Sequence, residues 1–324
     1  MNDVVTLVWR TDAHLSDEAP QSRTDDWTET VLDKIVQVGK IAKEVKADGV
    51  LDGGDLTHLK SPVRNSHSLV RRITVAHKGY NCPIFENVGN HDVKYGDLGY
   101  LNESPLGVLY ESGVLDRLYD EHEAVFKKPS VTVRVVGIPY HGAQYDMNRF
   151  TSLVKGDETW LVAVVHCLAS PEGGSMFEGE DILKYSDLSN LAPDLWCFAH
   201  WHKNLGIRQV GKKWFVNIGS ISRGALTQDE MDRKPVCGIL RFTEKEIACE
   251  QRLLKVRPAV EVFNVEGRTR AEARDMTMEA FVDNLQKTLA ARTEGSLIDV
   301  VRNLNIPPQV KERAIQYLEQ AGAT

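Results

Sequence analysis

In the first ninety residues the strand-like apolar runs are short, and each is closed by polar, metal-capable residues. Residues 4–10 form one such run and read as a buried strand that ends in Thr11-Asp12-Ala13-His14. A polar loop follows over 15–25. Residues 27–47 then carry Val31, Ile35, Val38, Ala42 and Val45 at three- and four-residue steps, which predicts an amphipathic helix. Asp26 with Glu29 resembles a capping box, and Gly49 stands where a helix stop is expected. Val50 and Leu51 begin a short strand running into Gly53-Gly54-Asp55. Residues 62–78 read as a helix, and 83–88 as a strand running into Gly89-Asn90-His91-Asp92. The first ninety residues therefore read β-loop-α-β-α-β, and the carboxyl edge of such an open sheet is where ligands bind.

Beyond Tyr110 the helices thin out. Residues 124–126, 131–138, 160–166, 194–199, 206–210 and 214–218 read as strands, and 236–242 with 247–254 alternate as a hairpin does. The expected fold is α/β: two packed mixed β-sheets flanked by helices, with a small C-terminal α+β or helical extension. Its expected domains are 1–257 and 258–324. In the extension, 260–265 is one more strand candidate. Met278, Phe281, Val282, Leu285 and Leu289 mark one helix, and Val310, Ala314, Tyr317, Leu318 and Ala321 another, opened by Pro307-Pro308.

Composition narrows the class. With 42% hydrophobic and 26% charged residues in 324, the chain is an ordinary globular protein rather than a disordered or fibrous one. A net charge of −7 excludes a diffuse positive field, so any nucleic acid would need a local basic patch or bound cations. The tail from Pro258, with 8 basic and 10 acidic side chains, is no basic arm. The five cysteines are odd in number and none forms a C-x-x-C pair, which argues against a disulfide framework or thiolate zinc site and for a reducing compartment. No apolar run approaches a membrane span. A soluble cytoplasmic protein is expected.

Histidine carries the candidate chemistry. Six of ten histidines lie beside Asp, Asn or Gly at the ends of apolar runs. In order, the blocks are Asp12-x-His14, Gly54-Asp55-Leu56-Thr57-His58, Gly89-Asn90-His91-Asp92, His166 and His200-Trp201-His202. Residues two apart at a strand end point the same way, so Asp12 with His14, and His200 with His202, can each offer two ligands to one pocket. Imidazole and carboxylate without sulfur suit Mn²⁺, Fe²⁺ or Zn²⁺. The seven ligand candidates (Asp12, His14, Asp55, Asn90, His166, His200 and His202) exceed what one ion needs, so two ions sharing a bridging carboxylate are expected. Singly, each block has a plainer reading: Gly-Asn as a turn, His166 as a satisfied core histidine, His58 as a surface residue. Asp92 reads as loop support. Arg64, Arg71, Arg72 and Lys78 could line a nucleic-acid path or simply form a solvated helix face.

Together the five blocks resemble the calcineurin-like metallophosphoesterase superfamily, whose pattern is D-x-H, G-D-x-x, G-N-H-[DE], H and G-H-x-H. The resemblance spans about two thirds of the chain. Gly53-Gly54-Asp55-Leu56-Thr57-His58 is similar to the G-G-D-L-F-H of the DNA double-strand-break repair nucleases, among them the nuclease subunit of the bacterial SbcCD complex and the meiotic-recombination nuclease. Gly137-Ile138-Pro139-Tyr140, and Asn217-Ile218-Gly219-Ser220 followed by Arg223, also fit that group. The resemblance implies a metallophosphoesterase sandwich holding two divalent metal ions, foremost Mn²⁺. Asp12, His14 and His202 would hold one ion, Asn90, His166 and His200 the other, and Asp55 would bridge. It further implies His91 as proton donor near the leaving oxygen and His58 as a contact to the scissile phosphate. Tyr140, His141 and Arg223 are candidate substrate contacts. Implied partners are DNA, an SbcC-like ATPase subunit and a second copy of the chain. Ala199 stands where the family has glycine. It would be strained only if that position needs positive φ, and its small side chain points to a harmless change. The expected activity is hydrolysis of DNA phosphodiester bonds. A nucleotide or other small phosphoester is the alternative substrate, and a catalytically silent metal-binding scaffold is the alternative of another class.

Overall fold

In a computed structural model, residues 3–58, 65–175, 179–265, 301–302, 311 and 315 are described. Among them the strands are β1 (Val5–Arg10), β2 (Gly49–Asp52), β3 (Ile84–Glu86), β4 (Asp116–Arg117), β5 (Ala124–Lys128), β6 (Val131–Ile138), β7 (Trp160–His166), β8 (Ala169–Ser170), β9 (Gly174–Ser175), β10 (Asp181–Lys184), β11 (Leu195–Ala199), β12 (Gly206–Val210), β13 (Lys213–Asn217), β14 (Val236–Phe242) and β15 (Ile247–Leu253). The longer helices are α1 (Trp27–Glu44), α2 (His67–His77) and α3 (Pro105–Glu111). One six-stranded sheet has the order β15-β14-β1-β2-β3-β4, the second β12-β13-β11-β7-β6-β5, and β8-β10-β9 form a small third. The two large sheets are mixed and flanked by helices, the α/β architecture expected.

Strand β1 shows how the layers arise. Val5, Leu7 and Trp9 point into the space between the sheets, with Leu51, Val133, Val135, Val162, Val164, Leu195 and Cys197. Val8 faces the other way, onto Val31, Ile35, Val38 and Ala42 of α1. Both faces of β1 are covered, so its sequence reads as an apolar run broken only by Thr6 and closed by Arg10, rather than as an alternation. Each fully buried Val, Leu or Ile contributes about 1.5–3 kcal/mol relative to exposure.

Several boundaries differ from expectation. Asp26 caps α1 by accepting from the Glu29 amide at 2.9 Å, but the Glu29 carboxylate pairs with Arg72. Lys46, at φ 53, turns the chain after α1. Gly49 is the first residue of β2 rather than a helix stop, and a Cβ there would meet the Phe126 ring at 2.7 Å. Helix α2 starts at His67 behind a Ser66 cap, while 62–64 lie outside the described residues. The strand expected over 260–265 is a helical turn, Ala259–Val262, launched by Pro258, whose ring confines φ near the helical value. Of that stretch only Phe263 bridges, to Arg23. Strands β4 and β8–β10 escaped the sequence reading because two to four residues are too short to show a period.

The chain divides into two compact units, Met1–Phe263 and Asn264–Thr324. The first holds both large sheets. In the second, Val301, Arg302, Lys311 and Ile315 are helical. The helix expected from Met278 to Leu289 lies outside the described residues. All five cysteines are free thiols, and no described helix is long and apolar enough to cross a membrane.

Candidate metal centre

Parallel strands aim their carboxyl ends at one place. Asp12 and His14 follow β1, Asp55 follows β2, and Asn90 and His91 follow β3, three parallel neighbours in one sheet. His166 ends β7, and His200 and His202 follow β11, parallel neighbours in the other. The two edges are pinned together by buried side chains. The Asn87 amide donates to the carbonyls of Ile138 (2.9 Å) and Val164 (3.3 Å), and His166 Nδ1 lies 2.9 Å from the Gly53 carbonyl.

For four of the seven ligand candidates the strand pleat is not what aims the side chain, contrary to expectation. Asp12, His14, Asp55 and His200 all have left-handed backbones, with φ of 56, 52, 56 and 80. Each such residue costs about 1–3 kcal/mol and persists only where its surroundings hold it. Here the holding is explicit. The amides of Asp12 and His14 donate to the carbonyls of Gly54 (3.1 Å) and Asp55 (2.8 Å). The Asp12 carboxylate accepts from the His200 amide at 3.1 and 3.2 Å, and from the Thr11 hydroxyl at 2.6 Å. Two glycines let the loops touch: a Cβ on Gly54 would lie 2.5 Å from the Gly89 nitrogen, and one on Gly89 2.1 Å from Asp55 Oδ1. Ala199 is not the left-handed member of its block. That role falls to His200, so the alanine is tolerated in extended β11.

Asp92 is the clasp of these loops. Its buried carboxylate accepts from the amides of Asp55 (2.6 Å), Thr57 (2.9 Å) and Gly89 (3.0 Å) and from the Thr57 hydroxyl (3.2 Å). With its oxygens so engaged, it supports the loops after β2 and β3, the role the sequence suggested.

Among the described residues three groups of ligand-type atoms result, each within 4.8 Å: Asp12, His14 and His202; Asp55, His166 and His200; and His14, His58 and His91. His14 Nε2 is 2.8 Å from His202 Nε2 and 3.8 Å from both Asp12 Oδ1 and Asp55 Oδ2. His166 Nε2 is 3.4 Å from Asp55 Oδ2 and 3.3 Å from Asn90 Oδ1. Asp55 thus lies between the two groups. Its Oδ1 accepts from the His91 amide at 2.7 Å, while its Oδ2 is fully buried without a hydrogen bond. A buried carboxylate oxygen of this kind is costly unless a cation takes its lone pairs. This Oδ2, without a hydrogen bond and 3.4 and 3.8 Å from the imidazole nitrogens of His166 and His14, is the chemistry of a site for divalent cations.

The electrostatics agree. Burial pushes the Asp12 carboxyl up to about 6 and the His14 imidazole well below its ordinary value, the latter helped by His202. Burial also opposes a charge on His166, yet Asp55 and Asp12 hold its pKa up at about 9. In the protein alone, a proton on His166 therefore supplies the positive charge that the two carboxylates demand.

His58 and His91 stack above this group, with centroids 4.8 Å apart and planes 12° apart. His58 Nδ1 lies 3.1 Å from His14 Nδ1. Tyr140 reaches the other side, its ring 5.4 Å from His200 and 6.1 Å from His166. His141 and Arg223 are not brought in. His141 Nδ1 contacts the Pro139 carbonyl, and its Nε2 accepts from the Asp146 amide. Arg223 donates to the carbonyls of Met231 (3.1 Å) and Arg257 (2.7 Å) and covers the Phe263 ring. Of the basic residues on and around α2, Arg72 pairs with Glu29, and Arg64 lies outside the described residues.

Sequence reasoning missed Glu180. Its Oε1 is 2.9 Å from His200 Nε2 and accepts from the Tyr145 hydroxyl at 2.8 Å. Nothing in a motif marks it. The only signal is the Gly-rich insertion, Glu172-Gly173-Gly174, that follows the His166 block.

The family model of the calcineurin-like phosphoesterases matches residues 11–204, more than half of the chain. No curated protein matches the sequence. Among solved structures, a dimetal phosphatase from Danio rerio is similar over 81% of this chain and 98% of its own, at 10% identity and a TM-score of 0.51. GAP50, the anchor in the inner membrane complex of Plasmodium, is similar over 81% of this chain and 88% of its own, at 10% identity and a TM-score of 0.52. At these identities the likeness is one of fold.

Proposed function

The chain belongs to the calcineurin-like phosphoesterase family, a family of dinuclear metal-dependent hydrolases, and on that premise we propose that it hydrolyses phosphodiester bonds in DNA. The observation that carries the reading is His58. The sixth residue of the Gly53-Gly54-Asp55-Leu56-Thr57-His58 block stacks on His91 and touches His14, so the extended block adds an imidazole at the centre. The proposed partner is an SbcC-like ATPase.

Asp12, His14 and His202 would hold one cation, Asn90, His166 and His200 a second, with Asp55 between them. Two divalent cations, Mn²⁺ first among them, supply Lewis acidity for water and for the phosphate oxygens in an in-line displacement. The residues of the chain do the rest. His91 holds a proton for the leaving oxygen, a contribution of about 10²–10⁴-fold for a well-placed acid. His58, beside it, donates to a phosphate oxygen. Asp92 and the Gly54–Gly89 contact keep Asp55 and Asn90 at fixed distance from His166, so little reorganisation remains for the reaction itself.

A net charge of −7 favours a second reading, in which a nucleotide or other small phosphoester is the substrate. End-labelled linear duplex and single-stranded DNA, incubated with Mn²⁺, with Mg²⁺ and with chelator, separates the two. Metal-dependent degradation that disappears in His91→Ala supports the nuclease reading. Intact DNA alongside hydrolysis of a small diester points to the second reading or to a nuclease that waits for its ATPase partner, and intact DNA with that partner added overturns the nuclease reading.

A further inference from the structure

We infer that an aromatic step on the loop after β3 takes a nucleobase of the substrate, so that the site recognises nucleoside phosphates rather than phosphoesters at large. This rests on the reading of the substrate as DNA or nucleotide and adds which residues read it.

The step begins two residues after Asp92. Lys94–Gly96 form a 3₁₀ turn, and Leu98–Glu103 a second. Tyr95 is 77% exposed, an unusual place for a large ring, and its backbone is left-handed at φ 58. A bulky side chain in that region is strained, so the surroundings must hold it. They do. Asp97 caps the next turn through the Gly99 amide at 2.8 Å, and Val93 and Leu101, on either side, are buried. Tyr100 meets Tyr95 edge to face with centroids 5.7 Å apart. Lys94 Nζ stands over both rings, 5.1 and 5.4 Å from their centroids.

The step adjoins the metal centre. A Cβ on Gly96 would lie 3.3 Å from the Tyr140 ring, and that ring is 5.4 Å from His200. The turn that carries Tyr95 therefore packs through Gly96 on Tyr140, and Tyr140 packs on His200. The chemistry of the step is that of a base-stacking platform. The exposed Tyr95 ring, met edge to face by the half-buried Tyr100, offers a π-face to any base, and the neighbouring ammonium complements the phosphate to which that base is attached. An alkyl phosphoester gains nothing from such a surface. Because every base has a π-face, the platform selects nucleosides without selecting sequence.

The test compares binding of 5′-AMP and of inorganic phosphate to the Mn²⁺-loaded protein by calorimetry, in wild type, Tyr95→Leu, Tyr100→Leu and Tyr95→Trp. Wild type is expected to bind 5′-AMP more tightly than phosphate. Each leucine variant should lower that preference by about 5- to 100-fold, and Tyr95→Trp should retain it. Tyr95 is exposed, so its variants fold. A wild type without preference for 5′-AMP, or a preference unchanged in both leucine variants, overturns the inference. Failure of the substrate reading shows separately, as hydrolysis of an alkyl phosphodiester with neither DNA nor nucleotide cleaved.

Discussion

Replacing Asp92 tests whether the centre is assembled by loop-to-loop hydrogen bonds rather than by its ligand candidates alone. In Asp92→Ala, the buried amides of Asp55, Thr57 and Gly89 and the Thr57 hydroxyl lose their acceptor together. An unsatisfied buried donor costs about 1–3 kcal/mol. Three amides, with water admitted to the vacated space, give roughly 3–6 kcal/mol, a large part of a domain's usual ~5–15 kcal/mol. Asp92→Asn is milder. Its oxygen can serve Asp55 and Gly89 while its amide donates to Thr57 Oγ1, which leaves one amide opposed and costs about 1–3 kcal/mol. Urea unfolding in chelator measures both, with no contribution from bound cations. Titration with Mn²⁺ should show weakened binding in the order Ala, then Asn, because the left-handed backbone of Asp55 loses its anchor. An alanine variant within about 1 kcal/mol of wild type, or an asparagine variant as damaged as the alanine, would refute the reasoning.

Three further outcomes follow from other contacts. Glu180→Ala should weaken one of two Mn²⁺ ions by about 10–100-fold in a metal titration, because His200 loses the carboxylate on its Nε2. The other ion, at Asp12, His14 and His202, should be retained. Asp52→Ala should destabilise by about 3 kcal/mol in urea unfolding, since it removes the carboxylate that pairs at 2.5 Å with Nε of the fully buried Arg10 and leaves that guanidinium to Tyr80, His77 and Glu86. Acid stability should carry a signature of Asp25. Burial raises its pKa, but bonds from Arg23, Thr30 and Arg257 bring it down to about 2. The folded value thus lies below the unfolded one, so the stabilisation is present above pH ~4 and lost as pH falls toward 2. Asp25→Asn should flatten that window by about 1 kcal/mol or less, after solvent screening, in unfolding scans between pH 2 and 5.

The chemistry of the blocks and the identity of the main strands were legible because both are local. A strand covered on both faces must be largely apolar, and β1 and β7 are, apart from Thr6, Arg10 and His166. A strand end that is to hold cations must offer nitrogen and oxygen, and Asp12, Asp55, Asn90 and His166 do. The face of α1 followed from its period alone.

Residue type and spacing along the chain were enough to mark which residues carry chemistry and which faces are buried. Tertiary structure decided how they meet. Asp12 and His14 share a site because two strained loops hydrogen-bond side by side, whereas the pleat would have aimed them by strand geometry. Gly49 is required by Phe126, a ring 77 residues away, and not by the helix before it. The turn at Ala259–Val262 replaced a strand because Phe263 found Arg23 and no sheet edge. Glu180 reaches His200 from an insertion that has no period to read. Hydrophobic period and residue type are properties of neighbours along the chain, while backbone strain, close glycine contacts and hydrogen bonds to a ligand histidine depend on partners that only folding brings near.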